Sequence, residues 1–190
     1  MPLTISLQTL NQDFSRAASS YEQHATLQRA WQKRCASEII LALPKGSTLL
    51  DLGCGTGALA RDLNDSGITV IGLDAAFGMC EVAANHQPVV QADAQHLPFA
   101  DHGVDAIVCS FTLQWINDPE QLWAECARIV KPHGNIWMAT FGTKTLGELR
   151  ACYEQLGVVP PINDFMTLAQ LTYDAKAAGF NIETASSETH

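Results

Sequence analysis

The chain has 190 residues, 47% of them hydrophobic, and carries 11 Lys and Arg against 20 Asp and Glu, a formal charge of -9. That length suits one compact domain with a real core, and an acidic surface repels phosphate backbones, which argues against nucleic acid as a non-specific partner. No apolar run approaches the ~20 residues of a membrane helix, and residues 1–14 lack the basic start and apolar core of a signal peptide.

The first forty-odd residues are read as helical. Leu27, Ala30, Trp31, Arg34, Cys35, Glu38 and Ile39 recur at helical spacing, and Pro44-Lys45-Gly46 ends the element. From there the pattern alternates. Strands are expected at 48–52, 69–73, 89–90, 104–110 and 135–140, with helices at 58–64, 78–85 and 119–130. Strands alternating with helices mean an α/β fold, a doubly wound, Rossmann-like and mainly parallel sheet. Such sheets bind ligands beyond the carboxyl ends of their strands. Further helices are read at 145–156 and 167–178, a sixth strand at 181–185, and a frayed end at 186–190.

The most informative stretch is Leu49-Leu50-Asp51-Leu52-Gly53-Cys54-Gly55-Thr56-Gly57. An apolar strand ends in an acid, and glycines follow at alternate positions before a helix. The spacing is G-x-G-x-G, not the G-x-G-x-x-G of dinucleotide sites, and no Lys-Ser or Lys-Thr pair follows as in a P-loop. Excluding side chains lets backbone approach a ligand closely, with N–H groups expected to line the floor of a pocket at a helix N-terminus. An acid beside that floor suits a ligand's amino group. Asp51, Asp74 and Asp93 are expected just beyond the first three strands, three carboxylates along one sheet edge. At Asp74 a carboxylate can accept from a ribose diol, and at Asp93 from an exocyclic amine. Each alone is equally well a turn or cap acid.

Cys35, Cys54, Cys80, Cys109, Cys126 and Cys152 are scattered without a C-x-x-C pair. They read as buried free thiols in a reducing, cytoplasmic setting. No Cys and His cluster has zinc spacing, so no metal is expected.

Over roughly 48–140 this constellation resembles the class I S-adenosylmethionine-dependent methyltransferases. The carriers are LLDLGCGTG, Asp74 in GLDAAFGM, the Asp93-Ala94 pair in QADAQHLPFAD, and RIVKPHGNIWMATF. The resemblance implies S-adenosylmethionine as cofactor and S-adenosylhomocysteine as product. It implies that Asp51 and the turn of Gly53, Cys54 and Gly55 cradle the methionine moiety. It places Asp74, followed by Ala75 and Met79, at the ribose, and Asp93 and Ala94 at the adenine amine. The end of the fourth strand, from Ser110 to Gln114, would face the reacting methyl.

Three further stretches resemble one branch, the malonyl-acyl-carrier-protein O-methyltransferases of biotin synthesis: FSRAASSYEQHATLQR at 14–29, SFTLQW at 110–115 and TFGTKTLGELR at 140–150. That branch esterifies the free carboxyl of a malonyl thioester held on acyl carrier protein. The resemblance divides the chain into a helical lid (1–44), a cofactor-binding core (45–141) and substrate-side elements (142–190), with the last strands of the family's seven-stranded sheet missing. A carboxylate is already ionised at neutral pH, so orientation rather than a general base would supply the catalysis. Tyr21 would close the pocket, and Gln114 would orient a carboxylate through its amide. His24 is a weaker contact, and Phe111 and Trp115 are wall residues. Arg16 and Lys144 are candidates to pair with a malonyl carboxylate, against a solvated surface role. Arg29, Lys33 and Arg34, near one side of a helix, would offer a basic face to an acidic carrier protein, unless they are simply a solvated face. Two alternatives stay open: a methyltransferase for another small acid or quinone precursor, or a cofactor-binding protein without turnover.

Overall fold

The computed structural model describes residues 6–188. Five strands, β1 (Thr48–Leu52), β2 (Thr69–Asp74), β3 (Val89–Gln91), β4 (Val104–Ser110) and β5 (Val130–Ala139), pair in parallel in the order β3-β2-β1-β4-β5. Three helices precede the sheet: α1 (Leu7–Ala17), α2 (Tyr21–His24) and α3 (Thr26–Ala42). The remainder are α4 (Ala58–Asp62), α5 (Phe77–Ala83), α6 (Pro119–Ile129), α7 (Gly147–Gln155) and α8 (Leu168–Ala177). Chain order reverses between β1 and β4, the switch point where open α/β sheets hold ligands.

β1 is covered on both faces, which is why it reads as an unbroken apolar run rather than an alternating one. On one face Leu50, Leu52, Leu73 and Ile107 pack with Leu122, Cys126 and Ile129 of α6. On the other, Leu49, Val70, Ala106 and Val108 pack with Cys35, Ala36 and Ile39 of α3 and with Leu59 of α4. α6 starts sharply because Asp118 caps the Gln121 N–H at 3.0 Å and Pro119 occupies the first turn. Among the described residues no helix is long and apolar enough to cross a membrane.

Several expectations need correction. The helical N-terminal region is three helices, not one. Ala18 and Ala25 are buried at the breaks between them, so the chain folds back over the sheet edge; residues 1–5 lie outside the described residues. α1 docks on α5 with backbone in close approach. The Gly78 N–H donates to Ser15 Oγ at 3.1 Å, and a Cβ at Gly78 would lie 2.5 Å from the Ser15 carbonyl. Residues 181–185 form no strand: only Ile182 is even half-buried, so the segment has no apolar face to bury against a sheet. β5 begins five residues early, since Val130 pairs with Val104 before an irregularity containing Lys131-Pro132-His133-Gly134. Cys152 is exposed, whereas the other five thiols are buried. Of the expected frayed end, Glu188 instead pairs with Arg34 at 2.7 Å, while Thr189 and His190 lie outside the described residues.

The segment after Asp93 is held by one side chain. Arg128 of α6 donates to the carbonyls of Phe99 (2.8 Å) and Leu97 (2.9 Å) and pairs with Glu125 and Asp101. Arg128→Met removes two carbonyl bonds at once. It should lower the thermal midpoint by a few degrees, read by calorimetry.

Candidate functional site

The site begins with one carboxylate. Asp51 lies inside β1, not beyond it, and pairs in register with Gly72 on one side and Val108 on the other. Strand alternation places its side chain on the face of Leu49, beneath α3. It is fully buried, and neither oxygen accepts a hydrogen bond from any described residue. Burial first, and the nearby Asp74 carboxylate second, push its pKa up to about 7. An uncompensated buried acid is unfavourable in either form. It is complementary to a positively charged ligand group.

The glycine turn lies above it. Gly53, Gly55 and Gly57 have φ of 70°, 53° and 76°, a left-handed run closed to most side chains. At Gly53 a Cβ would also sit 2.0 Å from Thr112 Oγ1, whose hydroxyl donates to the Leu52 carbonyl. Four of the turn's five amides bond within the chain. Gly53 and Cys54 both donate to the Leu73 carbonyl (2.7 and 3.0 Å), Gly55 donates to Asp74 Oδ2 (3.0 Å), and Gly57 donates to the Cys54 carbonyl (3.0 Å). These four hold the turn's own shape.

Asp74 ends β2 and accepts from Ala76 N–H at 2.8 Å as well as from Gly55. Burial raises its pKa, opposed by the backbone amides of Ala76, Gly55 and Ala75. At least two of its lone-pair directions are thus spent within the chain, and those left over can take a ligand. Ala75 follows, its carbonyl accepting from Gln91 Nε2 at 3.2 Å. Met79 is buried against Ala18, Ala76, Phe14 and Tyr21, so it joins α5 to the N-terminal helices. Asp93 lies two residues past β3 and is exposed. It accepts from the backbone N–H and side-chain amide of Gln95 at 2.9–3.2 Å, while Ala94 is buried in the core.

Over the turn the N-terminal helices form a roof. Tyr21, Glu22, Arg29 and Gln32 face Gly53, Cys54, Gly55, Thr56 and Ser110 across a narrow cleft. Tyr21 is the residue nearest the open side of Gly55, and burial, then Asp74, raises its phenol pKa. Ser110 ends β4, with Gln32 Nε2 donating to its hydroxyl at 3.4 Å. Tyr21, Gly53, Cys54, Gly55 and Ser110 are therefore brought together above Asp51, with Asp74 joined through Gly55.

Gln114 does not line this cleft. Its Nε2 donates to the Phe111 carbonyl (2.6 Å), its Oε1 accepts from Thr140 (3.1 Å), and its carbonyl accepts from Asn163 (3.2 Å), bracing three loops. Phe111 sits beside Ser110 at φ 54°, a strained value for a bulky residue. Its ring packs against Trp31 (6.1 Å) and Phe141 (5.0 Å), and Phe141 packs against Phe165 (5.7 Å). Trp115 meets Phe14 of α1 at 5.6 Å. His24 and Lys144 are exposed, and Arg16 pairs with Asp13 at 3.0 Å. The basic trio is largely neutralised within the chain: Arg29 binds Asp62 at 3.0 and 3.1 Å, and Arg34 pairs with Glu38 and Glu188. Glu22, Gln32 and Thr56 were not among the candidates, because their contacts span tens of residues with no local pattern. Among the described residues no three His, Cys, Asp or Glu side chains are grouped to hold a metal.

Residues 50–138 match the methyltransferase domain family. They form a class I S-adenosylmethionine-dependent methyltransferase domain. Over 88% of its length the chain is 36% identical to a biotin biosynthesis bifunctional protein (BioHC) of Cellvibrio japonicus, of which it spans 34%. Over 88% it is 33% identical to a malonyl-[acyl-carrier protein] O-methyltransferase of Erwinia pyrifoliae, of which it spans 64%. Over 67% it is 35% identical to a demethylmenaquinone methyltransferase of Renibacterium salmoninarum, spanning 54% of that protein. The chain thus spans about a third to just under two thirds of the length of these relatives. In fold it is similar to a SAM-dependent methyltransferase of Thermotoga maritima, with a TM-score of 0.68 at 24% identity, covering 89% of this chain and 80% of that one.

Asp51 should govern both stability and cofactor binding. With its folded pKa near 7, above the unfolded ~3.9, the folded state holds the extra proton between those values. Stability of the free protein therefore falls as pH rises through that window. Asp51→Asn should remove this slope and stabilise the free protein at pH 8 by on the order of 2–4 kcal/mol, measured by denaturant titration. In the parent chain, S-adenosylhomocysteine binding near pH 6 should release about one proton, and almost none at pH 8.5. Calorimetry in buffers of differing ionisation enthalpy reads this release, and Asp51→Asn should lack it.

Proposed function

We propose that the chain methylates the free carboxyl of a malonyl thioester carried on acyl carrier protein, an early step of biotin synthesis. The carrying observation is the extent of the likeness. Similarity to the malonyl-carrier relative runs over 88% of the chain, against 67% for the demethylmenaquinone relative. In this reading the chain divides into roof (1–44), core (45–141) and substrate side (142–190).

The residues present fit S-adenosylmethionine, because the orphan Asp51 carboxylate lacks only a cationic partner. In this reading Asp51 and the turn of Gly53, Cys54 and Gly55 hold the amino-acid end. The spare lone-pair directions of Asp74 take the ribose diol, with Ala75 and Met79 beside it, and Asp93 and Ala94 meet the adenine. When bound, the cofactor supplies a methyl group on a sulfonium. The chain's own part is orientation and exclusion of water. Tyr21 covers the glycine turn, Ser110 marks the end of β4, and the acceptor lies toward Phe111, Phe141 and Thr140. Gln114 acts there by fixing those loops through Phe111 and Thr140. No general base is needed, since a malonyl carboxylate is ionised at neutral pH, and positioning carries the rate.

A second reading, methylation of a quinone precursor, is favoured by the 35% identity to the demethylmenaquinone methyltransferase. Labelled S-adenosylmethionine offered with malonyl-carrier protein, acetyl-carrier protein and a demethylated quinone separates the two. Label in the malonyl form alone is expected. Label in the quinone alone rejects the lead reading, and label in neither favours a cofactor-binding protein without turnover on these acceptors. Asp74→Ala should weaken S-adenosylhomocysteine binding by roughly 1–3 kcal/mol. Unchanged affinity in calorimetry removes the ribose role.

A further inference from the structure

Two neighbouring residues of α4 hold the roof by opposite charges. Arg61 pairs with Glu22 of α2, and Asp62 pairs with Arg29 of α3. Each pair is reinforced. Glu22 Oε1 also accepts from the Thr56 hydroxyl at 2.6 Å, and Arg61 Nη1 donates to the Thr56 carbonyl at 3.1 Å. Arg29 Nη1 also donates to Gln32 Oε1 at 3.2 Å, and Gln32 reaches Ser110. Both roof partners line the cofactor cleft, while Arg61 and Asp62 stand behind its floor on the helix that leaves the glycine turn.

α2 is one turn long and has no buried residue. Its one apolar anchor is Tyr21, which packs on Ala18, Met79 and Phe14, and charge supplies the rest of what keeps the helix over the cleft. The polarity also sets register. A roof displaced by one position along α4 would bring Glu22 toward Asp62 in one direction, or Arg29 toward Arg61 in the other, a like-charge encounter either way. Side chains at Arg61 and Glu22 are 30% and 41% exposed, and those at Arg29 and Asp62 are 21% and 23% exposed. Pairs this solvated are weak one at a time, so the roof is held yet opens thermally. Burial works against ionisation of Glu22, but the Thr56 and Arg61 hydrogen bonds outweigh it and keep its pKa below the usual value, so the clamp stays charged near neutrality.

We propose that Glu22 and Arg29 are positioning residues which clamp the N-terminal roof to Arg61 and Asp62, and that opening this double clamp is the gate for cofactor exchange. The inference rests on S-adenosylmethionine as the cofactor and is independent of which acceptor is methylated.

The test is the dissociation rate of S-adenosylhomocysteine by stopped-flow tryptophan fluorescence, with hydrogen exchange over residues 20–29 of the ligand-free chain beside it. Glu22→Ala and Asp62→Ala should each speed dissociation by about three- to fivefold, and together by on the order of tenfold. Exchange in the roof should rise in parallel. The charge swap Glu22→Arg with Arg61→Glu should return both readouts to within about twofold of the parent. A purely structural loss would lower the thermal midpoint and gain nothing from the swap. Unchanged dissociation in both single variants, or a swap no better than Glu22→Ala, overturns the gate. A parent chain that binds no S-adenosylhomocysteine refutes the cofactor reading instead, and the roof exchange then decides the clamp alone.

Discussion

A carboxylate at the centre of a parallel sheet, with no donor for either oxygen, constrains everything built around it. Asp51 occupies the fourth position of β1, between two strands that are themselves buried. Burying a carboxylate without partners is among the more expensive things a core can do, and a chain selected for stability alone would place an apolar residue there. Among the described residues nothing donates to either oxygen. The turn above it is glycine at 53, 55 and 57, so no side chain fills the space over the strand end. The turn keeps its shape through bonds to Leu73 and Asp74, so it does not depend on a ligand to form. In the proposed reading the destabilised acid is relieved by the cationic end of the cofactor.

Charge elsewhere in the protein is used mostly within the chain. The net charge is -9, yet Arg29, Arg34, Arg61 and Arg128 each hold a carboxylate of the same chain. Two of the three cations that made a helix face look ready for an acidic carrier protein are spent tying that helix to α4 and to the tail. Arg128 does comparable work on the opposite face, pinning the segment that follows Asp93. An acidic carrier would therefore have to find its positive surface elsewhere, and steering by the whole molecule's field would oppose it.

On the acceptor side the structure is aromatic and cross-braced. Trp31, Phe111, Phe141 and Phe165 come from α3, the end of β4, the end of β5 and the loop before α8, and they meet in one row. Gln114 ties the same loops through Phe111, Thr140 and Asn163. Phe111 is held at positive φ where the strand stops, a conformation that persists because packed rings and the Gln114 amide over-determine it. The segments 14–29, 110–115 and 140–150, far apart in the chain, meet through Phe14 with Trp115, Phe111 with Phe141, and Gln114 with Thr140.

What the sequence determined by itself was local. Strand positions followed from apolar runs, helix starts from caps such as Asp118-Pro119, and the ligand-binding turn from glycines at alternate positions, because each of these is decided by residues a few places apart. The sheet edge bearing Asp74 and Asp93 followed from the same alternation. Tertiary structure alone decided which groups serve a ligand and which serve the fold. The amides at Gly53 and Cys54 look like donors to a ligand until the Leu73 carbonyl, on the neighbouring strand, is placed beside them. Gln114 looks like an acceptor contact until Thr140 is opposite it. Residues 181–185 look like a strand until they are found with no ladder and no face to bury. The pairing of Glu22 with Thr56 and Arg61 spans more than thirty residues and leaves no periodic trace. Such contacts depend on how distant segments are packed, and no local pattern encodes that distance.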